Sequence, residues 1–272
     1  MPTDSAKAAV RDFWDEAACG ERLYLPDVSA ESFRSHAQAR YDLEPFIRPF
    51  ARFDESGGLR VLEIGVGLGA DHQCFAERGA RLSGVDLTPR AIELTRRRLE
   101  TLGLTSDLRV GDAEHLDFPD ETFDVVYSWG VIHHSPDTAQ AVREIFRVLK
   151  PGGKARVMIY NAASLVGLML WLRYGLAAGR PLTPMQDIYG KHLESPGTKA
   201  FSTSQARALF SAFSPVAIKV ELTHGDLLTS EAGQRHRGAL LTLAKAVWPR
   251  WFFRTFCPGM GLFMLIDATK PR

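Results

Sequence analysis

The chain has 272 residues, 45% of them hydrophobic and 24% charged, which is enough to bury a full core and excludes disordered, collagenous and disulfide-stapled classes. Thirty-three Lys and Arg against 32 Asp and Glu leave a formal charge of +1, so no global field points to nucleic acid, and a charged partner must be met locally. Three scattered cysteines, Cys19, Cys74 and Cys257, form no C-x-x-C pair, which suits a reducing compartment and leaves no metal or dithiol site expected.

The N-terminal stretch is broken by charges from Asp4 to Glu16 and lacks the apolar core of a secretory signal, so a cytoplasmic protein is expected. The most apolar window, Ala162 to Leu172, is shorter than the roughly 20 residues that cross a bilayer. A first helix is read through Val10, Phe13, Trp14 and Ala17. A second runs from Ala30 to about Phe50, with breaks at Pro45 and Pro49. From Leu59 the period changes. Strands are expected at Leu59–Ile64, Arg81–Val85, Leu108–Val110, Phe123–Ser128 and Lys154–Tyr160, the last after a Pro151-Gly152-Gly153 stop. Helices at Asp71–Arg78, Pro89–Leu102 and Thr138–Leu149 separate them. This alternation, with continuous apolar strands, predicts an α/β fold with a doubly wound, mostly parallel sheet covered on both faces. After a short helix at Ser204–Phe213, strands Val216–Leu222 and Leu262–Ala268 lack a regular short crossover helix, which predicts an antiparallel closing strand.

The expected organisation is a single domain. Residues 1–58 form an N-terminal helical lid, 59–161 a cofactor-binding core, 162–196 and 223–258 α-helical cap insertions, and 197–222 and 259–272 the closing strands.

The strongest chemical signal is V-L-E-I-G-V-G-L-G-A, Val61 to Ala70, a strand running into Gly65, Gly67 and Gly69 and then a helix. Such glycines let a nucleotide-type ligand pack against bare backbone in front of the unpaired N–H groups of a helix start. Alone, Gly65-x-Gly67-x-x-Ala70 also fits a dinucleotide loop, with Asp86 as the ribose-binding acid, so an NAD-dependent oxidoreductase or a non-catalytic cofactor-binding partner stays open at this point. Three features separate the readings. Glu63 would repel a pyrophosphate but complement a cationic amino-acid moiety. Asp112, in Gly111-Asp112-Ala113-Glu114, offers an acceptor for an adenine amino group. The fourth strand, ending at Ser128 and Trp129, leads into His133, His134 and a helix closed by L-K-P-G-G.

In this order the motifs at residues 59–160 resemble the core of class I S-adenosylmethionine-dependent methyltransferases, in the branch similar to ubiquinone- and menaquinone-biosynthesis methyltransferases. The resemblance implies a seven-stranded sheet and S-adenosyl-L-methionine as cofactor. It assigns Glu63, Gly65 and Gly67 to the methionyl side, Gly69 to the cofactor loop, Asp86 to the ribose, Leu87 to packing on the adenine, and Asp112 and Ala113 to the adenine edge. Ser128 would hold the amino group through its carbonyl, with Trp129 bordering the cofactor. The flanks, which choose the acceptor, lie outside it.

Methyl transfer needs alignment and exclusion of water more than acid/base groups. His133 and His134 are read either as a general base or as helix-start structure. Trp14, Tyr41, Tyr160, Asn161 and His224 are candidate acceptor-pocket residues, each with structural packing as the competing reading. Arg40 and Glu44 are further lid candidates. The segment Gly233–Cys257 carries Arg235, Arg237, Lys245, Arg250 and Arg254 beside Trp248, Trp251, Phe252 and Phe253 without an acid. That composition fits either a buried lid over an apolar substrate or a peripheral membrane contact. The expected partner is a small-molecule acceptor with an apolar body, or alternatively a lipid or isoprenoid-quinone precursor at a membrane surface, and not nucleic acid.

Overall fold

The computed structural model describes residues 2–18, 20–229 and 248–272. Strands β1 (Arg60–Ile64), β2 (Arg81–Asp86), β3 (Asp107–Val110), β4 (Phe123–Trp129), β5 (Leu149–Tyr160), β6 (Val216–Glu221) and β7 (Phe263–Thr269) form one seven-stranded sheet in the order β3-β2-β1-β4-β5-β7-β6. The first five pair in parallel, and β7 runs antiparallel between β5 and β6.

Both faces are covered, and the strand sequences show why. Leu62, Ile64, Val126 and Val157 enter one apolar cluster, while their alternate neighbours Val61, Val125 and Tyr127 enter another on the opposite face. Helix α7 (Thr138–Val148) starts where Asp137 accepts from the Gln140 N–H. It buries Ala141, Val142, Ile145 and Val148, a single stripe at helical spacing, against the first cluster. Helix α6 (Pro89–Thr101) is capped by Thr88 with Pro89 at its first position, and helix α5 (Ala70–Glu77) follows the glycine loop.

One expectation is corrected in β5. Pro151-Gly152-Gly153 does not precede the strand but lies inside it, where the register against β4 shifts between Phe123 and Val125. Gly152 takes a positive φ of 81° and its N–H donates to the Lys270 carbonyl, so the run is absorbed without leaving the sheet.

Ahead of the sheet lie α1 (Pro2–Glu16), α2 (Glu21–Tyr24), α3 (Ala30–Leu43) and α4 (Ile47–Ala51); the helix expected across Ala30–Phe50 is thus two, divided at Pro45. The 162–196 insertion folds into α8 (Leu165–Trp171), a wide turn at Leu172–Leu176, and α9 (Met185–His192). Its Leu170, Ile188 and Tyr189 pack on Tyr160 and Phe263 at the edge of the sheet. Helix α10 (Thr203–Leu209) precedes β6, and α11 (Arg250–Phe256) precedes β7. Buried Asp226 ties these parts together by accepting from the N–H groups of Val166, Thr223 and Leu262. Arg235, Arg237 and Lys245 of the basic cap segment lie outside the described residues. Among the described residues no helix is long and apolar enough to cross a membrane.

Candidate active site

Parallel strands leave their carboxyl ends at one rim, and the crevice above β1, β2 and β4 is where a ligand meets loop backbone. The cleft found there is lined by Glu63, Gly65, Gly67, Gly69, Asp86, Leu87, Asp112, Ala113 and Trp129, joined by Gly130, Val131 and His134 from the turn after β4 and by Lys7, Val10 and Trp14 from α1.

The glycine loop is set by backbone geometry. Gly65, Gly67 and Gly69 have φ values of 80°, 53° and 73°, which L side chains rarely adopt. A methyl on Gly65 would collide with Val131, and one on Gly69 would approach Thr95 Oγ1 to 2.8 Å. Gly67 differs: a methyl there meets no atom within 4 Å. It is the position where bare backbone faces open space along the cleft.

Asp86 terminates β2 and organises that loop. One of its oxygens accepts from the Gly67 N–H at 3.1 Å, and the other accepts from the Thr88 N–H at 3.0 Å and hydroxyl at 2.9 Å. Burial pushes its pKa above the usual carboxylate value, because its partners are neutral dipoles that only partly offset lost hydration. Oδ1 is filled by its two donors, while the other oxygen retains acceptor capacity. Asp112 accepts from the Glu114 N–H and is bridged by Lys7 Nζ at 2.6 Å; the same ammonium reaches Glu114 at 2.7 Å. Burial of Lys7 opposes its charge, but these two carboxylates outweigh it and raise its pKa. Helix α1 is thereby fastened across the cleft, with Trp14 set edge-on to His134.

Glu63 is buried and lies 2.8 Å from His72 Nδ1. Ser106 gives its hydroxyl proton to the Leu82 carbonyl, so the His72 Nε2 beside it carries a hydrogen and donates. Burial raises Glu63 well above its ordinary value and lowers His72 to about 3. Both shifts have the same cause, since burial penalises charge on either partner. Anionic charge is favoured at Asp71, in the first turn of α5. Burial opposes it, but Arg40 and hydroxyl donors on Tyr41 and Tyr127 hold its pKa below the ordinary value.

Several sequence candidates lie elsewhere. Tyr41 commits its hydroxyl to Asp71 and the Ala70 carbonyl within the core rather than lining the cleft. The Asn161 amide donates to the carbonyls of Ala163, Gly259 and Gly261, which makes it a clamp between the cap and β7. His224 sits in the turn before Asp226, away from the cleft. Ser128 is fully buried beneath the lining, and His133 lies behind His134, against the Tyr160 ring. The Tyr160 hydroxyl donates to Glu194 at 2.7 Å, next to His134 but outside the cleft wall. Sequence reasoning missed Lys7 and Glu194, which reach their partners from distant elements and carry no local motif.

Comparison with known proteins agrees with this geometry. Residues 62–157 match the methyltransferase domain family. The chain is 36% identical over 130 residues to a ubiquinone biosynthesis O-methyltransferase of Methylocella silvestris, covering 48% of each. It is 38% identical over 119 residues to a phosphatidylethanolamine N-methyltransferase of Cereibacter sphaeroides, covering 43% of this chain and 57% of that one. The matched region spans about half the length of these relatives. Haemonchus contortus phosphoethanolamine N-methyltransferase 2, solved in complex with S-adenosyl-L-methionine, superposes with a TM-score of 0.57 at 18% identity over 97% of this chain and 60% of that one, which establishes a shared fold. Residues 62–157 are thus a methyltransferase domain, set in a sheet that solved methyltransferases share.

Proposed function

We propose that the protein transfers the methyl group of S-adenosyl-L-methionine to a small organic acceptor with an apolar body. The observation that carries this reading is the convergence of the Gly65–Gly69 loop, Asp86, Asp112 and Trp129 on one cleft. The residues suit the cofactor: Gly67 leaves room for direct backbone contact, Asp86 Oδ2 offers an acceptor for a ribose hydroxyl, and Leu87 and Ala113 supply apolar contact for a base. When bound, the cofactor supplies a methyl activated by sulfonium charge. The chain's own contribution is to align and to exclude water. Lys7 holds α1 over the cleft, and Trp14, Val131 and Trp129 give its mouth apolar walls. His134, which borders the cleft, is the candidate base of this reading, and a ring rotation that frees a nitrogen from Ser195, Thr198 and Glu194 would have to accompany that role. His133, enclosed behind it, is structural in this reading.

Exposed aromatics support a second version of the same chemistry, at a membrane surface with a lipid or isoprenoid-quinone precursor as acceptor. Trp251 and Phe256 on α11 are 69% and 63% exposed, beside Arg250 and Arg254.

The test is incubation of the protein and methyl-labelled cofactor with a cell metabolite extract, followed by mass spectrometry. A labelled product carrying one extra methyl supports the reading. Cofactor binding with no transfer to any polar or lipid fraction would overturn it in favour of a non-catalytic binding protein.

A further inference from the structure

The turn after β4 and the segment after α9 bring together a group that cofactor binding does not use. One nitrogen from each of His133 and His134 and one carboxylate oxygen of Glu194 all lie within 4.8 Å of one another. His133 is fully buried, and neither ring nitrogen has a hydrogen-bond partner among the described residues. Buried imidazole nitrogens are nearly always paired, so this ring calls for a partner, and a ligand at the cluster would supply one to a single nitrogen.

His134 supplies the second observation. Its Nδ1 lies 3.0 Å from Thr198 Oγ1 and 2.8 Å from Ser195 Oγ. With Nδ1 engaged there, the ring turns its buried Nε2 to Glu194 Oε2 at 3.3 Å without making a hydrogen bond. A cation between these two atoms would partner both. Their separation matches the edge of a tetrahedral site whose bonds are about 2.0–2.1 Å. Tyr160, donating to the same carboxylate, and Ser195 with Thr198 on Nδ1 provide the outer contacts that orient metal ligands.

We propose that His133, His134 and Glu194 form a binding site for a zinc-class divalent cation. Two imidazoles and one carboxylate suit a borderline metal such as Zn²⁺ and disfavour Mg²⁺ or Ca²⁺, which prefer oxygen ligands. The site departs from the sequence expectation of no metal, because the Glu194 ligand comes from a distant segment. With the cation bound, His134 is a ligand and not a free base, so the two roles exclude one another. The inference does not rest on methyl transfer, since metal binding is measured without cofactor or acceptor.

The full chain is stripped with a chelator, equilibrated with micromolar Zn²⁺ and assayed by elemental mass spectrometry, with Co²⁺ absorption in the visible reporting geometry. The expected result is one zinc per chain, a tetrahedral Co²⁺ spectrum, and affinity weakened about tenfold or more by Glu194→Gln, which keeps an acceptor for Tyr160. His133→Phe, which keeps the ring against Tyr160, should weaken it likewise, with folding checked by circular dichroism. If His133→Phe fails to fold, Glu194→Gln carries the test. No zinc retained by the parent chain would overturn the proposal, as would an affinity unchanged by Glu194→Gln, which would place the metal elsewhere.

Discussion

Gly67→Ala separates cofactor recognition from folding better than any other change in the glycine loop. Its φ of 53° makes a side chain costly, about 1–2 kcal/mol for an L residue in that region. Reduced freedom of the unfolded chain returns about 0.4–1 kcal/mol. Because a new methyl meets nothing within 4 Å, no packing cost is added, and the net loss should be about 1 kcal/mol. For a chain of this length that is a fall in Tm of about 2–4 °C. A ligand seated on the bare backbone at Gly67 must retreat from the methyl, so S-adenosylhomocysteine affinity should fall about tenfold or more, equivalent to about 1.4 kcal/mol. Gly65→Ala provides the contrast, since its methyl strikes Val131 and should compromise folding itself. Calorimetric titration and chemical denaturation on the same samples measure both quantities. Unchanged affinity in a folded Gly67→Ala protein would refute the placement of the loop against the cofactor.

Three further outcomes follow from the buried charges and the exposed aromatics. A cationic cofactor set beside Glu63, which burial holds above its ordinary pKa, should pull that pKa down, so titration in buffers of different ionisation enthalpy should detect proton release; a buffer-independent heat would contradict a contact between Glu63 and the cofactor's charge. Burial holds Glu44 up to about 7, although Arg40, 3.7 Å from one of its oxygens, opposes the shift. Its stabilising contribution is therefore full below 4.5, the unfolded value, and lost as pH rises through about 7, a difference of about 3 kcal/mol. Glu44→Gln should flatten that dependence in denaturation curves, and an unchanged slope would show that Glu44 is not its source. If α11 meets membranes, the protein should co-float with anionic liposomes at low salt, and Trp251→Ser should reduce it; failure to float would remove the membrane-surface version.

The sheet was legible because its signals are local. Leu62 and Val61 alternate between two covered faces, and Thr88-Pro89 and Asp137 mark helix starts by chemistry within a few residues. The rim acids were legible for the same reason, since Asp86 and Asp112 stand where strands end. What sequence reasoning could not supply were pairings across the chain. Tyr41 reads as a pocket residue until Asp71 arrives from α5 to accept its hydroxyl, and Asn161 until three carbonyls enclose its amide. Glu63 reads as a charge at the rim until the fold buries it against His72 and raises its pKa. The Pro151–Gly153 run reads as a stop because a bulge depends on the partner strand.

Thermal unfolding of the unaltered chain, titrated with S-adenosylhomocysteine and in parallel with NAD⁺ and NADH, tests the central claim most directly. Saturable stabilisation by the former alone, abolished or sharply weakened in Asp86→Ala, is the predicted result. Stabilisation by a nicotinamide dinucleotide with no response to S-adenosylhomocysteine would contradict it.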